Sequence, residues 1–331
     1  AASDVYKRQG PSGYINESLE QIKVKKIEDN PSTPGNTAWV AIEDRYFINS
    51  VLPAEVVDGS MGLSVKKGLI ENRLIWPVDE ISPQSQKTYA FDLYFGPKKI
   101  DILKNMGHNL EKAVNFGMFD ILARPCLWLL NFLHGYIPNF EIAIIILTLL
   151  VKLLLWPLGS KSYKSMNDMR KLQPLMSEIR EKHKNDKKMM NQELMNLYKV
   201  YKVNPLGGCL PMVLQIPVFF AFYKMLYQAI ELRHAPFLLW INVLAAPDRL
   251  FTFDITVPLM APPYGIPDLT LIMGASMFLQ QKMSPPPGDP AQAKMMMFMP
   301  IFFTFIFINF PSGLVLYWLV NNVLSIAQQY Y

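Results

Sequence analysis

A single lysine interrupts an apolar run that is long enough to cross a membrane. Residues 141–158 read EIAIIILTLLVKLLLWPL, and Lys152 lies inside this run. A helix that spans a bilayer needs about 20 predominantly apolar residues. An ammonium group near the bilayer centre costs about 3 kcal/mol or more unless it faces water, protein or a counter-charge. The run therefore predicts a membrane helix with one buried positive charge.

Two interpretations of Lys152 remain open at this point. Thr148 lies four residues earlier, and Glu141 lies three turns back on roughly the same helix face, whereas the other faces carry Ile, Leu and Val. This stripe indicates a face that looks inward, toward a hydrophilic space. Alternatively, the helix ends near Pro157, about six residues or about 9 Å beyond Lys152, and Lys152 extends its ammonium to the membrane surface.

Apolar residues are unevenly distributed, which divides the chain. The first hundred residues are typical of a soluble domain, whereas the chain from Phe119 onward alternates long apolar runs with short polar ones. Five spanning segments are predicted, at residues 141–158, 206–231, 266–283, 295–310 and 314–328. The last two are short for a bilayer core of about 30 Å and are separated by the turn sequence FPSG.

The loops predict the topology. Residues 159–205 carry eleven Lys and Arg residues, whereas residues 232–265 carry two. Because basic loops stay in the cytoplasm, residues 159–205 are expected inside and residues 232–265 outside. Five crossings then leave the C-terminus in the cytoplasm and the N-terminal domain in the periplasm.

Residues 10–100 are predicted to form part of an antiparallel β-sandwich. Tyr89, Phe91, Leu93 and Phe95 alternate with less apolar residues, and AWVAIEDRYFINSVLP and GLIENRLIWP are further strand candidates. Residues 1–9, AASDVYKRQ, are expected to be a non-native tail. Because a periplasmic domain needs a targeting segment and none is present, we expect an incomplete N-terminus.

Residues 101–140 are predicted to contain a connector and an amphipathic helix at 119–136. Asp120, Arg124, Asn131 and His134 fall within an arc of about 80° on a helical projection, and the other residues are mostly apolar. This narrow polar stripe favours a helix that lies in the membrane interface. A tilted spanning helix and a buried core helix are the alternatives.

The basic loop at 159–205 is predicted to form a helical hairpin. Apolar residues recur at helical spacing before and after Asn185 and Asp186; they are Met166, Met169, Leu172, Leu175, Met176, Ile179, Met190, Leu194, Leu197 and Tyr201. Methionine-rich surfaces adapt to varied apolar partners. The alternative is that the methionines pack the two helices together.

No enzyme or metal motif is present in the sequence. Cys126 and Cys209 lie far apart in apolar context, the four histidines do not cluster, and there is no phosphate-binding glycine loop. We therefore expect no catalysis, no cofactor, no metal and no direct nucleic-acid recognition. The membrane segments lack Asp and Glu away from their ends, which disfavours a proton-coupled transporter.

Several long motifs resemble the YidC membrane protein insertases of the Oxa/Alb/YidC family. They are VNPLGGCLPMVLQIPVFFAFYKML at 203–226, ELRHAPFLLWI at 231–241, FLQQKMSP at 278–285 and FPSGLVLYWLVNN at 310–322. The resemblance covers about residues 91–331, and SIAQQYY at the end resembles an alphaproteobacterial version. It implies an α-helical polytopic inner-membrane protein of six spanning helices with a large periplasmic β-sandwich. The five-helix core is expected at 141–331, and the first of the six helices and most of the sandwich are expected to be missing from this sequence.

The resemblance also implies residue roles. Lys152 matches a family position that is commonly Arg and projects into a hydrophilic groove open to the cytoplasm; Thr148, Gln281 and Trp318 border the same groove. A client's hydrophobic segment would slide along helices that carry Val213, Phe219, Phe298 and Phe302. The cytoplasmic hairpin would receive the client or the ribosome and includes Met166, Met169, Arg170, Met190 and Tyr198.

The expected function is that of an insertase and chaperone for nascent inner-membrane proteins, acting alone or with the Sec translocon. The expected partners are nascent membrane proteins, the Sec translocon, the ribosome and membrane lipids. A small-solute transporter or channel, in which Lys152 is a counter-ion for the substrate, is the main alternative. A lipid-binding scaffold that uses the interfacial helix is a further one.

Overall fold

The chain forms two compact units. The computed structural model describes residues 10–204, 210–233, 243–283 and 290–330, and within these the side chains of 210–214 and 290–292 are not described. The first unit ends at Gly117 and includes Gln228–Glu231, and the second comprises Met118–Tyr227 and Leu232–Tyr331. The predicted non-native tail at 1–9 lies outside the described residues.

The first unit is an antiparallel sheet of seven strands. They are β1 (Gly10–Ile15), β2 (Ser18–Gln21), β3 (Ser32–Glu43), β4 (Phe47–Pro53), β5 (Val57–Lys66), β6 (Leu69–Ile75) and β7 (Phe91–Pro97). The main order is β2-β1-β3-β4-β7, and β5 pairs with both β3 and β6. The long strand β3 joins these two parts, because its first half pairs with β5 and its second half pairs with β1 and β4.

Strand β6 covers one side of the sheet, which gives the unit a core. The Asn72 amide of β6 donates hydrogen bonds to the main-chain carbonyls of Ser12 in β1 and Ala41 in β3. The apolar core contains Ile15, Ile27, Val40, Met61 and Leu63. On the other face of β3, Trp39 is fully buried and stacks with Tyr14. The antiparallel β-domain predicted from the sequence is confirmed.

Strand β7 confirms the alternating pattern but exposes its apolar face. It pairs with β4 from Phe47 opposite Pro97 to Pro53 opposite Phe91. Phe91, Leu93 and Phe95 are all at least half exposed. The alternation therefore identified the strand correctly, whereas the described residues do not cover that side of it. The connector then contains α1 (Ile100–Asn105) and two short 3₁₀ turns, Leu110–Ala113 and Gly117–Phe119.

The second unit is mainly helical. Its helices are α2 (Asp120–Tyr136), α3 (Phe140–Lys171), α4 (Gln173–Lys182), α5 (Lys187–Val200), α6 (Leu210–Gln228), α7 (Asp268–Met283), α8 (Pro290–Phe307) and α9 (Ser312–Tyr330). A two-stranded sheet, β8 (Leu250–Phe253) and β9 (Tyr264–Ile266), lies between α6 and α7. Helix α9 packs against α3 and α7, α7 packs against α8, and α2 packs against α3.

Helix α3 is longer than the sequence analysis predicted. Asn139 caps its start, with Oδ1 accepting hydrogen bonds from the Glu141 and Ile142 main-chain N–H groups. The helix then passes through Pro157 and ends only at Lys171. In the part of the chain that the structure describes, α3 alone is long and apolar enough to cross a membrane; residues Ala293–Phe307 are apolar but shorter. That the other predicted segments also cross stays a prediction.

Candidate functional site

Lys152 lies against helix α9. Its Nζ donates a 2.7 Å hydrogen bond to Ser325 Oγ, and its side chain is half-buried. Ser325 in turn donates to the Asn321 main-chain carbonyl at 2.7 Å, and Tyr163 of α3 lies beside the same serine. The ammonium of this α3 residue is therefore held by a polar side chain of α9. The prediction of a helix end at Pro157 was wrong, so Lys152 lies in the interior of a continuous helix.

The stripe around Lys152 is buried along its length. Glu141 and Thr148 are 0% and 1% exposed, as expected for residues that share a face directed into the unit. The Thr148 hydroxyl donates to the Ile144 main-chain carbonyl at 2.7 Å, which satisfies it locally. The Thr148 hydroxyl is therefore a polar group on this face that needs no hydrogen-bond partner on another helix.

A second polar contact joins α3 to α9 one turn further along. Gln328 Nε2 donates to the Trp156 main-chain carbonyl at 3.1 Å and to Ser160 Oγ at 3.3 Å. Gly159 makes room for this amide, because a Cβ there would lie 2.8 Å from Gln328 Nε2. We call the contacts of Lys152 with Ser325 and of Gln328 with Ser160 the α3–α9 seam.

Helix α9 makes a further polar contact with α7. Asn322 is 3% exposed and its Nδ2 donates to Ser276 Oγ at 3.0 Å. Uncharged amides commonly join helices in this way within a membrane. Ser325, Asn322 and Gln328 therefore form a polar stripe on α9 that the sequence analysis did not assign to the site. Their i, i+3 and i+6 spacing was the available signal.

The other two predicted groove residues occupy different surroundings. Trp318 lies seven residues, two turns, before Ser325 and so on the same face of α9. Its ring packs in an aromatic cluster with Phe219, Phe303 and Phe307, at centroid distances of 5.0, 6.2 and 5.4 Å. Gln281 is half-buried near the end of α7. Their roles at a groove stay predictions.

The predicted sliding surface is exposed on α8. Phe298 and Phe302 are 66% and 62% exposed. Phe219 on α6 instead belongs to the aromatic cluster around Trp318, and Ile216 and Phe220 are the more exposed apolar residues of that helix. Val213 lies within α6, but its side chain is outside the described residues.

The predicted cytoplasmic hairpin consists of α4, α5 and the end of α3. Its core contains Leu172, Met176 and Leu194, with Met169, Met190 and Tyr198 packed against it. These methionines therefore pack the helices together, as in the simpler of the two interpretations. Met166 is half-buried and Arg170 is exposed on α3, while Met189 and Met195 are the exposed methionines of α5.

Helix α2 has one polar and two apolar sides. Arg124 forms an ion pair with Asp120, and His134 stacks on Phe140. Ala123, Leu127 and Leu130 are buried, whereas Ile121, Trp128 and Tyr136 are largely exposed. The first apolar side packs into the helical unit, and the second would face lipid in an interfacial helix. The interfacial position stays a prediction.

Within the described ranges, no group of three or more His, Cys, Asp or Glu side chains is placed to hold a metal ion. Lys152 and its polar neighbours are thus the site with the clearest chemical character. A lysine, two serines, a tyrosine and an amide can attract and hydrogen-bond an anionic or polar group.

Comparison with known proteins identifies the family. The chain matches the family model described as 60Kd inner membrane protein over residues 132–331 and the one described as YidC periplasmic domain over residues 1–129. It is 50% identical to a membrane protein insertase YidC of Syntrophus aciditrophicus over 100% of this chain and 58% of that protein. It is 49% identical to the one of Geobacter sulfurreducens over 97% of this chain and 58% of that protein. The alphaproteobacterial likeness stays a prediction.

The fold is similar to that of a solved structure as well. A crystal structure described as an active YidC insertase with its first transmembrane domain resolved aligns with a TM-score of 0.53 and 21% identity, over 91% of this chain and 79% of that one. The chain spans 58% of the length of the two relatives above. Because one family model covers more than half of the chain and a second covers the β-domain, this chain belongs to the YidC family of inner membrane proteins.

Proposed function

We propose that this chain inserts nascent inner-membrane proteins into the bilayer and helps them fold. The observation that carries the proposal is the ammonium of Lys152, held between α3 and α9 by Ser325. The named activity of the relatives, membrane protein insertase, supports the same conclusion. The chain acts by binding, without a chemical reaction.

The positive charge of Lys152 attracts the acidic or polar tail of a client. Its described partner, Ser325, is a neutral hydroxyl, so the hydrogen bond orients the ammonium without cancelling its charge. Two opposite charges about 4 Å apart attract by about 4 kcal/mol at an effective dielectric constant of about 20. Moving an unsatisfied polar group into an apolar medium costs about 2–7 kcal/mol. The two energies are similar, so one charge in a hydrated groove offsets much of the cost of tail entry.

The client's hydrophobic segment travels along α8 while its tail occupies the groove. Met295, Phe298, Phe302 and Phe305 are all more than half exposed and follow helical spacing. Such a stripe offers apolar contact without a fixed partner. Thr148, Gln281 and Trp318 border the groove in this proposal, and Phe219 and Val213 lie on the neighbouring helix α6.

The hairpin of α4 and α5 receives the client or the ribosome at the cytoplasmic side. Arg170 and the two exposed methionines of α5, Met189 and Met195, supply charge and adaptable apolar surface. In this proposal the five helices α3, α6, α7, α8 and α9 all cross the inner membrane, with the C-terminus in the cytoplasm and the β-domain in the periplasm. The Sec translocon and membrane lipids are the further partners.

Reconstitution into liposomes tests the function. Purified chain should insert a short two-helix client with an acidic tail, and the vesicles should remain tight to small solutes. Deleting residues 173–200, which leaves α3 intact, should reduce insertion of clients delivered by ribosomes. Solute flux without insertion would favour a transporter or channel and would refute the proposal.

A further inference from the structure

The segment between α6 and α7 displays apolar side chains on a short hairpin. We call residues 250–266, which contain β8 and β9, the outer hairpin. Asp254 is its only charged residue. Phe251, Ile255 and Leu259 are 75%, 72% and 81% exposed, which makes them the most exposed apolar side chains of this segment. Single exposed apolar residues are common, but three on one short hairpin with a single charged residue indicate a contact surface.

The backbone holds two of these side chains in an unusual conformation. Phe251 and Leu259 have φ angles of 51° and 67°, in the left-handed region that bulky residues rarely adopt. This conformation costs about 1–2 kcal/mol for each non-glycine residue. The backbone conformation fixes the direction of these two side chains, and their large water-exposed apolar area favours an apolar environment for them.

A polar latch fixes the outer hairpin to the turn between α8 and α9. The Arg249 guanidinium donates to the main-chain carbonyls of Pro263 and Ala261 in the hairpin and of Ile308 in the turn. Asn309 in the turn accepts a hydrogen bond from Ala261 N and donates to Leu259 O, both at 2.7 Å. The hairpin is therefore held at the level where α8 ends and α9 begins.

The exposed apolar surface continues onto the helices beside the latch. Leu271 and Ile272 in the first turn of α7 are nearly half exposed, and Phe305 and Ile306 in the last turn of α8 are 57% and 40% exposed. In an inner-membrane protein such helix ends lie where hydrocarbon meets the lipid headgroups. The same depth suits the tip of the hairpin, which carries apolar side chains and a single charge.

We propose that the outer hairpin inserts Phe251, Ile255 and Leu259 into the interfacial region of the bilayer and anchors that end of the helical unit. The occupant of this surface is lipid, because the polar latch holds the hairpin beside the apolar helix ends, at the depth where these meet the headgroups. The hairpin contains no basic residue, so hydrophobic burial drives the contact. Binding is then expected to be insensitive to the anionic lipid fraction and to salt.

Fluorescence quenching in vesicles tests this anchor. Cys126 and Cys209 are replaced by serine in the full chain, and an environment-sensitive fluorophore is attached through Leu259→Cys or Ile255→Cys. The protein is reconstituted in phosphatidylethanolamine–phosphatidylglycerol vesicles, with nitroxide-labelled lipids or aqueous iodide as quenchers. Gln192→Cys on the exposed side of α5 is the aqueous control, and Phe302→Cys on α8 is the hydrocarbon control.

We expect the hairpin probes to be quenched most strongly by a nitroxide near the headgroup, and at least threefold less by iodide than the Gln192→Cys probe. The result should be the same with or without phosphatidylglycerol. Iodide quenching equal to that of Gln192→Cys would overturn the proposal. Protection from iodide that disappears when the lipid-to-protein ratio is raised would instead assign the surface to a second protein copy. Because no client is present in this assay, its outcome is independent of the proposed insertase function.

Discussion

The crossing of α7 and α8 depends on a glycine, and Gly274→Ala tests this dependence. A Cβ at Gly274 would overlap the Thr304 hydroxyl of α8 and lie 3.2 Å from its methyl group and 3.3 Å from its Cβ. Small residues let membrane helices approach closely in this way. Rotating Thr304 would break its 2.7 Å hydrogen bond to the Pro300 carbonyl, and a β-branched side chain has few other rotamers in a helix. The helices must therefore move apart.

Overpacking of this kind costs about 1–3 kcal/mol. We expect Gly274→Ala to lower the free energy of unfolding by that amount in a denaturing-detergent titration. Adding Thr304→Ala removes the hydroxyl and the methyl group, so the double variant should recover most of the loss.

Gly135→Ala is the matched control, since a Cβ at Gly135 in α2 meets nothing within 4 Å. Alanine is favoured over glycine by about 0.5–1 kcal/mol inside a helix, so this control should keep or slightly raise the stability. If Gly274→Ala unfolds at the same detergent fraction as Gly135→Ala, the close approach of α7 and α8 is refuted.

Three further changes test other parts of the molecule. Met176→Ala, in the core of the hairpin, should cost about 2–5 kcal/mol and accelerate amide hydrogen exchange in α4 and α5; unchanged exchange there would contradict that core. Gln328→Ala, which removes the donor to Ser160, should lower the free energy of unfolding by about 1 kcal/mol in the detergent titration, and no change would exclude the Gln328 part of the α3–α9 seam as a stabilising contact. Hydrogen bonding and charge from Lys87 lower the pKa of Asp79 below its ordinary 3.8. The stability that the Asp79–Lys87 ion pair contributes is therefore present above pH 3.8 and is lost as pH falls through the lowered pKa. Lys87→Met should raise the pKa of Asp79 in a carboxyl NMR titration, and an unchanged pKa would argue against the ion pair.

The sequence predicted the elements whose residue patterns are local. Strand β7 followed from period-2 alternation at 91, 93 and 95, and the five long helices α3, α6, α7, α8 and α9 followed from apolar runs. The hairpin core was likewise visible as methionines and leucines at helical spacing. These patterns depend only on a few neighbouring residues.

The partners of Lys152 could not be predicted in the same way. Ser325 lies 173 residues later in the chain, and no local pattern reveals that α9 packs against α3. The continuation of α3 through Pro157 was missed as well. Proline lacks a main-chain N–H donor, so it is common at the ends of helices. Inside a helix it is tolerated when packing and the flanking residues favour the helix. Its true end lies just before Gln173 and Pro174, where α4 begins.

A charge-swap measurement at Lys152 tests the central claim most directly. Insertion into liposomes is measured for clients with acidic or basic tails, using the unchanged chain, Lys152→Arg and Lys152→Glu. We predict that Lys152→Arg retains insertion of the acidic-tailed client, whereas Lys152→Glu reduces it at least tenfold and improves insertion of the basic-tailed client. Glutamate can accept a hydrogen bond from the Ser325 hydroxyl when this hydroxyl turns away from the Asn321 carbonyl, and equal thermal unfolding of the three proteins controls for folding. Normal insertion of the acidic-tailed client by a folded Lys152→Glu protein would contradict the claim that this positive charge attracts the client.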